Sequence, residues 1–193
     1  MTDETKTTPK PVPKAPAKPR KPRTKAAPPP GLAPAVWAAA LVLLLDQATK
    51  YIVVHIMQLD RVGAIDLIDP WLNLRMAWNQ GMNFGLMASD QNLTRWLLIA
   101  VALGISAWVG WWLWRNRPGR LAQIAAGVLI GGALGNVIDR LTYGAVADFL
   151  NMSLPGWHNP YSFNVADIAI FIGAFGLVLQ PGDKTRDGGK KPR

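Results

Sequence analysis

Four long apolar runs decide what this chain can fold into: Ala35 to Met57, Trp96 to Trp114, Leu121 to Ile138 and Phe163 to Leu179. Each is about 17 to 23 residues, the length an α-helix rising 1.5 Å per residue needs to cross roughly 30 Å of hydrocarbon. A buried helix of a soluble protein would carry a polar stripe at helical spacing, and "WLLIAVALGISAWVGWWLW" has none. The expected fold class is an all-α integral membrane protein with four transmembrane helices.

Charge placement supports this and orients it. The 21 Lys and Arg against 12 Asp and Glu, a net +9, point to nucleic acid or a membrane surface as partner. The apolar runs are almost free of Lys and Arg, so the membrane is the better reading. Eight basic residues precede Gly31, three lie between Arg115 and Arg120, and five follow Leu179. The positive-inside rule then puts both termini in the cytoplasm and turns the loops Gln58 to Arg95 and Asp139 to Ser162 outward. Trp108, Trp111, Trp112 and Trp114, followed by Arg115, read as an aromatic anchor at the cytoplasmic interface.

Residues 1–33 are expected to be a disordered Pro, Ala and Lys tail held near anionic lipid, 34–180 the membrane domain, and 181–193 a second basic tail. A cleavable signal peptide is the alternative for the first run. That run is too long, is interrupted by Asp46 and Lys50, and lacks a small-residue cleavage site. Without cysteine, and with only His55 and His158, the chain offers no thiolate metal site and little for a histidine one.

Ionisable residues at membrane depth each need a reason. Asp46 and Lys50 are one helical turn apart with the acid first, which reads as an ion pair facing the bundle. Gly127, Gly131 and Gly135 share one helix face, where a neighbouring helix can approach closely. Asn136, Asp139 and Arg140 end that helix, and the two charged residues either solvate the helix end or join a site. Gly144 breaks the helix, so Asp148 is expected on a loop or a short helical extension.

Asn164 and Asp167, three apart, point the same way at the outer end of the fourth run. With the third and fourth helices as antiparallel neighbours, Asp148 and Asp167 reach the same level near the outer interface. Two close acids in a low-dielectric setting share a proton, leaving one as general base for water and the other as hydrogen-bond donor to a carbonyl. The competing reading is two interfacial acids facing water.

The first outer loop is too long for a simple connection. In it, "WLNLRMAW" puts Leu72, Leu74, Met76 and Trp78 on one side of a strand. Asn79, Gly81, Asn83 and Gly85 then call for a tightly turned backbone. A small extracytoplasmic β-containing platform over the helices is expected.

These blocks, in this order, resemble the bacterial lipoprotein signal peptidases, also called signal peptidase II. The resemblance covers roughly Ala35 to Leu179. It is carried by "DQATK" at Asp46 to Lys50, "NQGMNF" at Asn79 to Phe84, "GNVIDR" at Gly135 to Arg140, and the aspartate blocks "VADF" and "FNVADIAI". One departure is Asn83, where the family usually has a small apolar residue.

The resemblance implies that Asp148 and Asp167 are the catalytic pair and that Asn136, Arg140, Asn164 and Ala166 line or support the site. Asp46 and Lys50 would be supporting polar residues, with Asp139 beside them, and Asn79 and Gly81 would belong to a substrate-facing loop. It further implies an inner-membrane peptidase, working as a monomer and without cofactor, that cleaves a diacylglyceryl-modified prolipoprotein before its lipidated Cys. Two other classes stay open: a proton-coupled transporter or channel, and a non-catalytic membrane scaffold. The lack of an inverted repeat, and acids near one membrane face instead of the midplane, speak against transport.

Overall fold

The computed structural model describes residues 31–81 and 91–179. The expectations for residues 1–30 and 181–193, and for Asn83 and Gly85, lie outside them. The first helix, α1, spans Ala33–Tyr51 and places Pro34 in its first turn, where a missing N–H costs no helical hydrogen bond. It runs on as a π-helical turn, Ile52–Ile56, closed by the Met57 N–H on Ile52 O at 2.8 Å. A single-turn helix α2, Leu59–Val62, leads into strands β1, Ala64–Ile68, and β2, Leu72–Asn79. Helices α3, Gln91–Asn116, and α4, Arg120–Tyr143, follow, then strand β3, Val146–Asn151, and helix α5, Val165–Val178.

Among the described residues, three helical segments are long and apolar enough to cross a membrane: Ala33–Ile56, Asn92–Asn116 and Arg120–Tyr143. The fourth run yields a shorter apolar helix of 14 residues. Its expected first residues, Phe163 and Asn164, are not helical. Phe163 bridges to Leu150, and Asn164 is the extended cap of α5.

The span of α4 is 61% buried, against 22% for α1 and 17% for α3, so α4 is the hub of the bundle. Lipid tails are as apolar as leucine, so membrane helices associate by close packing more than by hydrophobic exclusion. The glycine face supplies that closeness. A methyl at Gly127 would strike the Ala35 carbonyl, at Gly131 the Ala39 backbone, and at Gly135 the Asp46 carboxylate, so all three glycines meet α1. Gly132 seats α5 in the same manner, against the Ala166 carbonyl. Beside these contacts Ala35, Val109, Leu113, Ala126 and Leu129 form an apolar core joining α1, α3 and α4.

The sheet is antiparallel in the order β1-β2-β3. It rests on a second core of Val53, Leu59, Leu74 and Phe149. The strand expected around "WLNLRMAW" is β2, but its sides do not alternate cleanly: Leu74 is buried and Trp78 exposed. A register shift between Leu74 and Ala77 re-aims the second half of the strand.

The expectation that Asp148 follows α4 on a loop or helical extension is corrected. Gly144 ends α4 at φ +82°, and the chain enters β3 directly. Val146, Ala147 and Phe149 are buried there, with Asp148 opposite Ala77 and Ala147 opposite Trp78 across the ladder. Burial of both faces and antiparallel pairing with β2 on either side of the register shift outweigh any local helical preference.

Candidate active site

Helix α4 delivers Asn136, Asp139 and Arg140, β3 delivers Asp148, and the first turn of α5 delivers Asn164, Ala166 and Asp167. Asn79 comes from the last position of β2, and Asp46, Gln47 and Lys50 from α1.

Asp167 owes its position to a capping box. Asn164 Oδ1 accepts the Asp167 backbone N–H at 2.9 Å, and Asp167 Oδ2 accepts the Asn164 N–H at 3.3 Å. The same Asn164 donates from Nδ2 to Asp148 Oδ1 at 2.6 Å, so a single side chain ties both aspartates together. Asn136 donates to Asp167 Oδ1 at 2.9 Å, and Asn79 to Asp148 Oδ2 at 3.0 Å.

All three amides are held one way round. The Asn79 oxygen accepts the Gly81 N–H at 2.9 Å, that of Asn164 accepts the Asp167 N–H, and that of Asn136 accepts Lys50 Nζ at 3.1 Å. A donor on each amide oxygen leaves the NH₂ facing a carboxylate. The Asn79 contact to Gly81, which has φ +100°, is the tight turn expected at the start of "NQGMNF".

Asp148 is buried, Asp167 half-buried. Burial pushes the Asp148 carboxyl up from the ordinary range to about 6, and the nearby Asp167 charge adds to this. Hydrogen bonds from Asn79 and Asn164 and the Lys50 charge pull the other way. The carboxyl is therefore within reach of either protonation state near neutral pH.

A second cluster lies beneath the first. Lys50 Nζ sits 2.9 Å from Asp46 Oδ2 and 2.7 Å from Asp139 Oδ2, with all three residues buried. Together with Asn136 this uses all three ammonium donors. The expected Asp46 and Lys50 pair is therefore present, and Asp139 joins it and does not solvate the helix end. Gln47 also bridges the two acids, donating to Asp46 Oδ2 and Asp139 Oδ1 at 3.1 Å each. Gln47, unlike Asp46 and Lys50 beside it, carries no charge that marks it in the sequence. An uncharged amide inside a membrane span was the available signal.

Arg140 is half-buried, within electrostatic reach of Asp167, Asp148 and Asp139. It donates to the Asn136 carbonyl at 3.4 Å, and its Nε has no partner among the described residues. Two depressions of about 180 and 280 Å³ flank the site, one lined by Gln80, Arg95 and Ala145, the other by His55, Arg61 and Trp78. Tyr143 lines both, and neither reaches the two aspartates.

A family model described as Signal peptidase (SPase) II matches residues 38–181. The lipoprotein signal peptidase of Methylobacterium radiotolerans is 40% identical over 163 residues, covering 81% of this chain and 88% of that protein. That of Burkholderia mallei is 38% identical over 147 residues, covering 76% and 86%. Among solved structures, a bacterial membrane enzyme determined in meso at 2.3 Å is similar with a TM-score of 0.65 and 26% identity, covering 83% of this chain and 94% of that one. With a membrane-helix bundle, a small antiparallel sheet and most of its length matched, the chain belongs to the signal peptidase II family.

Proposed function

We propose that the protein is an aspartic endopeptidase that removes the signal peptide from diacylglyceryl-modified prolipoproteins, cutting on the N-terminal side of the lipidated Cys. The observation that carries this reading is the pair Asp148 and Asp167, joined through Asn164, with Asp148 raised to about 6. Two carboxylates and one water suffice for peptide hydrolysis.

In the proposed mechanism Asp148 holds the shared proton and Asp167 is the base. The water oxygen attacks the scissile carbonyl carbon as Asp167 takes a water proton and Asp148 gives its proton to the carbonyl oxygen. The tetrahedral diol then collapses. The C–N bond breaks, Asp167 returns its proton to the departing Cys nitrogen, and Asp148 recovers the hydroxyl proton. Asn136 and Asn79 keep each carboxylate in register through these transfers, and the half-buried Arg140 guanidinium offsets their negative charge.

The topology proposed with this chemistry has α5 as a fourth span, both termini in the cytoplasm, and the aspartates near the outer leaflet. A lipid-tethered peptide would reach them laterally while water enters from outside. The exposed Trp108, Trp111 and Trp114, with Arg115 stacked 5.5 Å over Trp111, support an interfacial belt at the opposite end of the bundle.

The test is cleavage of a diacylated against an unlipidated prolipoprotein by purified protein, with Asp148→Asn as control. Selective cleavage of the lipidated form, abolished by the substitution, is expected. Equal cleavage of both forms, or a fully active variant, overturns the reading.

A further inference from the structure

The tripeptide Val-Ala-Asp occurs twice, ending at Asp148 and at Asp167. From sequence the repetition reads as coincidence, since the first copy follows a helix and the second begins one. The structure assigns a shared task to the two alanines. Both are fully buried, and each donates its backbone N–H to a buried carboxylate of the lower cluster: Ala147 to Asp139 Oδ2 at 3.2 Å, Ala166 to Asp46 Oδ1 at 2.9 Å. Each grip falls one residue before a member of the proposed catalytic pair.

The two gripping carboxylates are joined to each other twice. Lys50 bridges them from one side and Gln47 from the other. A continuous polar path thus runs from the Ala147 peptide through Asp139, Lys50 and Asp46 to the Ala166 peptide. A side arm through Asn136 reaches Asp167 itself. Every carboxylate oxygen along it is occupied, so it has few alternative arrangements.

We infer that Lys50 and Gln47 are positioning residues, which hold Asp46 to Asp139 and thereby set the spacing between the backbones that carry Asp148 and Asp167. The inference rests on the aspartic-peptidase reading and deepens it. A stable bundle needs only that charges at membrane depth be paired, and Lys50 set between Asp46 and Asp139 already does that. That pairing alone does not explain why the acids grip these two peptides. The grip matters because proton sharing between two carboxylates, and attack by a water between them, both depend steeply on separation.

The experiment is steady-state cleavage of a diacylated prolipoprotein by the full chain in lipid nanodiscs. Lys50→Met is expected to lower kcat by on the order of 100-fold, as a displacement of about 1 Å at a reacting pair does, with KM little changed. Lys50→Arg, which keeps the charge and the donors, should recover part of the loss. A folded Lys50→Met with wild-type kcat overturns the inference.

A second measurement covers the case in which Lys50→Met does not fold. Asp46→Asn and Asp139→Asn are compared singly and together. Arms of one bracket make the losses non-multiplicative, because opening one end already frees the spacing. Losses in kcat that simply multiply overturn it. Asp148→Asn separates the two levels of the argument. If it is fully active, the catalytic reading fails. If it is inactive while the bracket variants behave as wild type, only the bracket fails.

Discussion

Two pairs of acids share one end of the helix bundle and differ in what stands between their members. Asp46 and Asp139 have a lysine ammonium between them, at 2.9 and 2.7 Å. Among the described residues Asp148 and Asp167 form no ion pair, and amide N–H groups donate to their carboxylates. A cation makes an acid pair a joint, since removing it leaves repelling charges in a poorly solvated place. Amides restrain an acid pair while leaving a proton free to move between the members. On the proposed mechanism the tasks are separate, with the lower pair as scaffold and the upper pair as chemistry.

The comparison breaks most sharply if either upper acid proves dispensable. Asp148→Asn and Asp167→Asn are each expected to reduce kcat by about 10³-fold or more, within the range general acid–base groups contribute. Asp148→Asn should also change stability in a pH-dependent way. The folded carboxyl titrates near 6, above its ordinary 3.8, so its contribution to stability is fully present below 3.8 and lost as pH rises through 6. The variant's melting temperature relative to wild type should therefore climb between pH 4 and pH 8, and a flat difference would deny the raised titration.

Lys50→Met is the matching test of the lower pair. It should cost about 3 kcal/mol of stability by removing the cation shared by two buried acids, read as a fall in detergent-resistant melting temperature. If the upper-pair variants destabilise as much, the division of labour is wrong. Gly131→Ala should cost about 2 kcal/mol, because its methyl meets the Ala39 backbone with no room to shift. Its effect should appear in melting before it appears in the rate per folded molecule.

Asn79→Ala sharpens the electrostatics. The Asn79 amide favours the charged form of Asp148, so its loss raises that titration. The limb of kcat/KM expected near pH 6 should move to higher pH, and movement downward or none would contradict the assignment. The smallest effect belongs to the half-exposed pair Arg75 and Asp66, 3.1 Å apart on the sheet. Asp66→Ala should change stability by less than about 0.5 kcal/mol, as solvent screens such pairs.

Much of the bundle is legible in the sequence because it depends on one-dimensional spacing. The apolar runs mark the helices, the glycines at intervals of four mark a closely packed face of α4, and Asn164 three before Asp167 places both on one side at the outer end of the fourth run. What stayed hidden depends on partners distant in the chain. Asp148 sits on a strand because Ala77 lies opposite it, and no local pattern around Gly144 announces that pairing. Asp139 looks like a helix-end charge until Lys50, from a helix about 90 residues earlier, is brought against it. Gln47 escaped notice because its role exists only when both acids are present.

The one-turn spacing of Asp46 and Lys50 bears on how the protein is made. An acid in the middle of an apolar helix is costly to move into lipid alone, and α1 precedes both helices that supply its other partners. By carrying its own counterion four residues on, α1 can enter the bilayer as a nearly neutral rod. The bonds to Asp139 and to the Ala166 N–H form only when α4 and α5 arrive, so α5 closes the polar network. Without α5, Asp46 Oδ1 would lose the Ala166 N–H that it accepts.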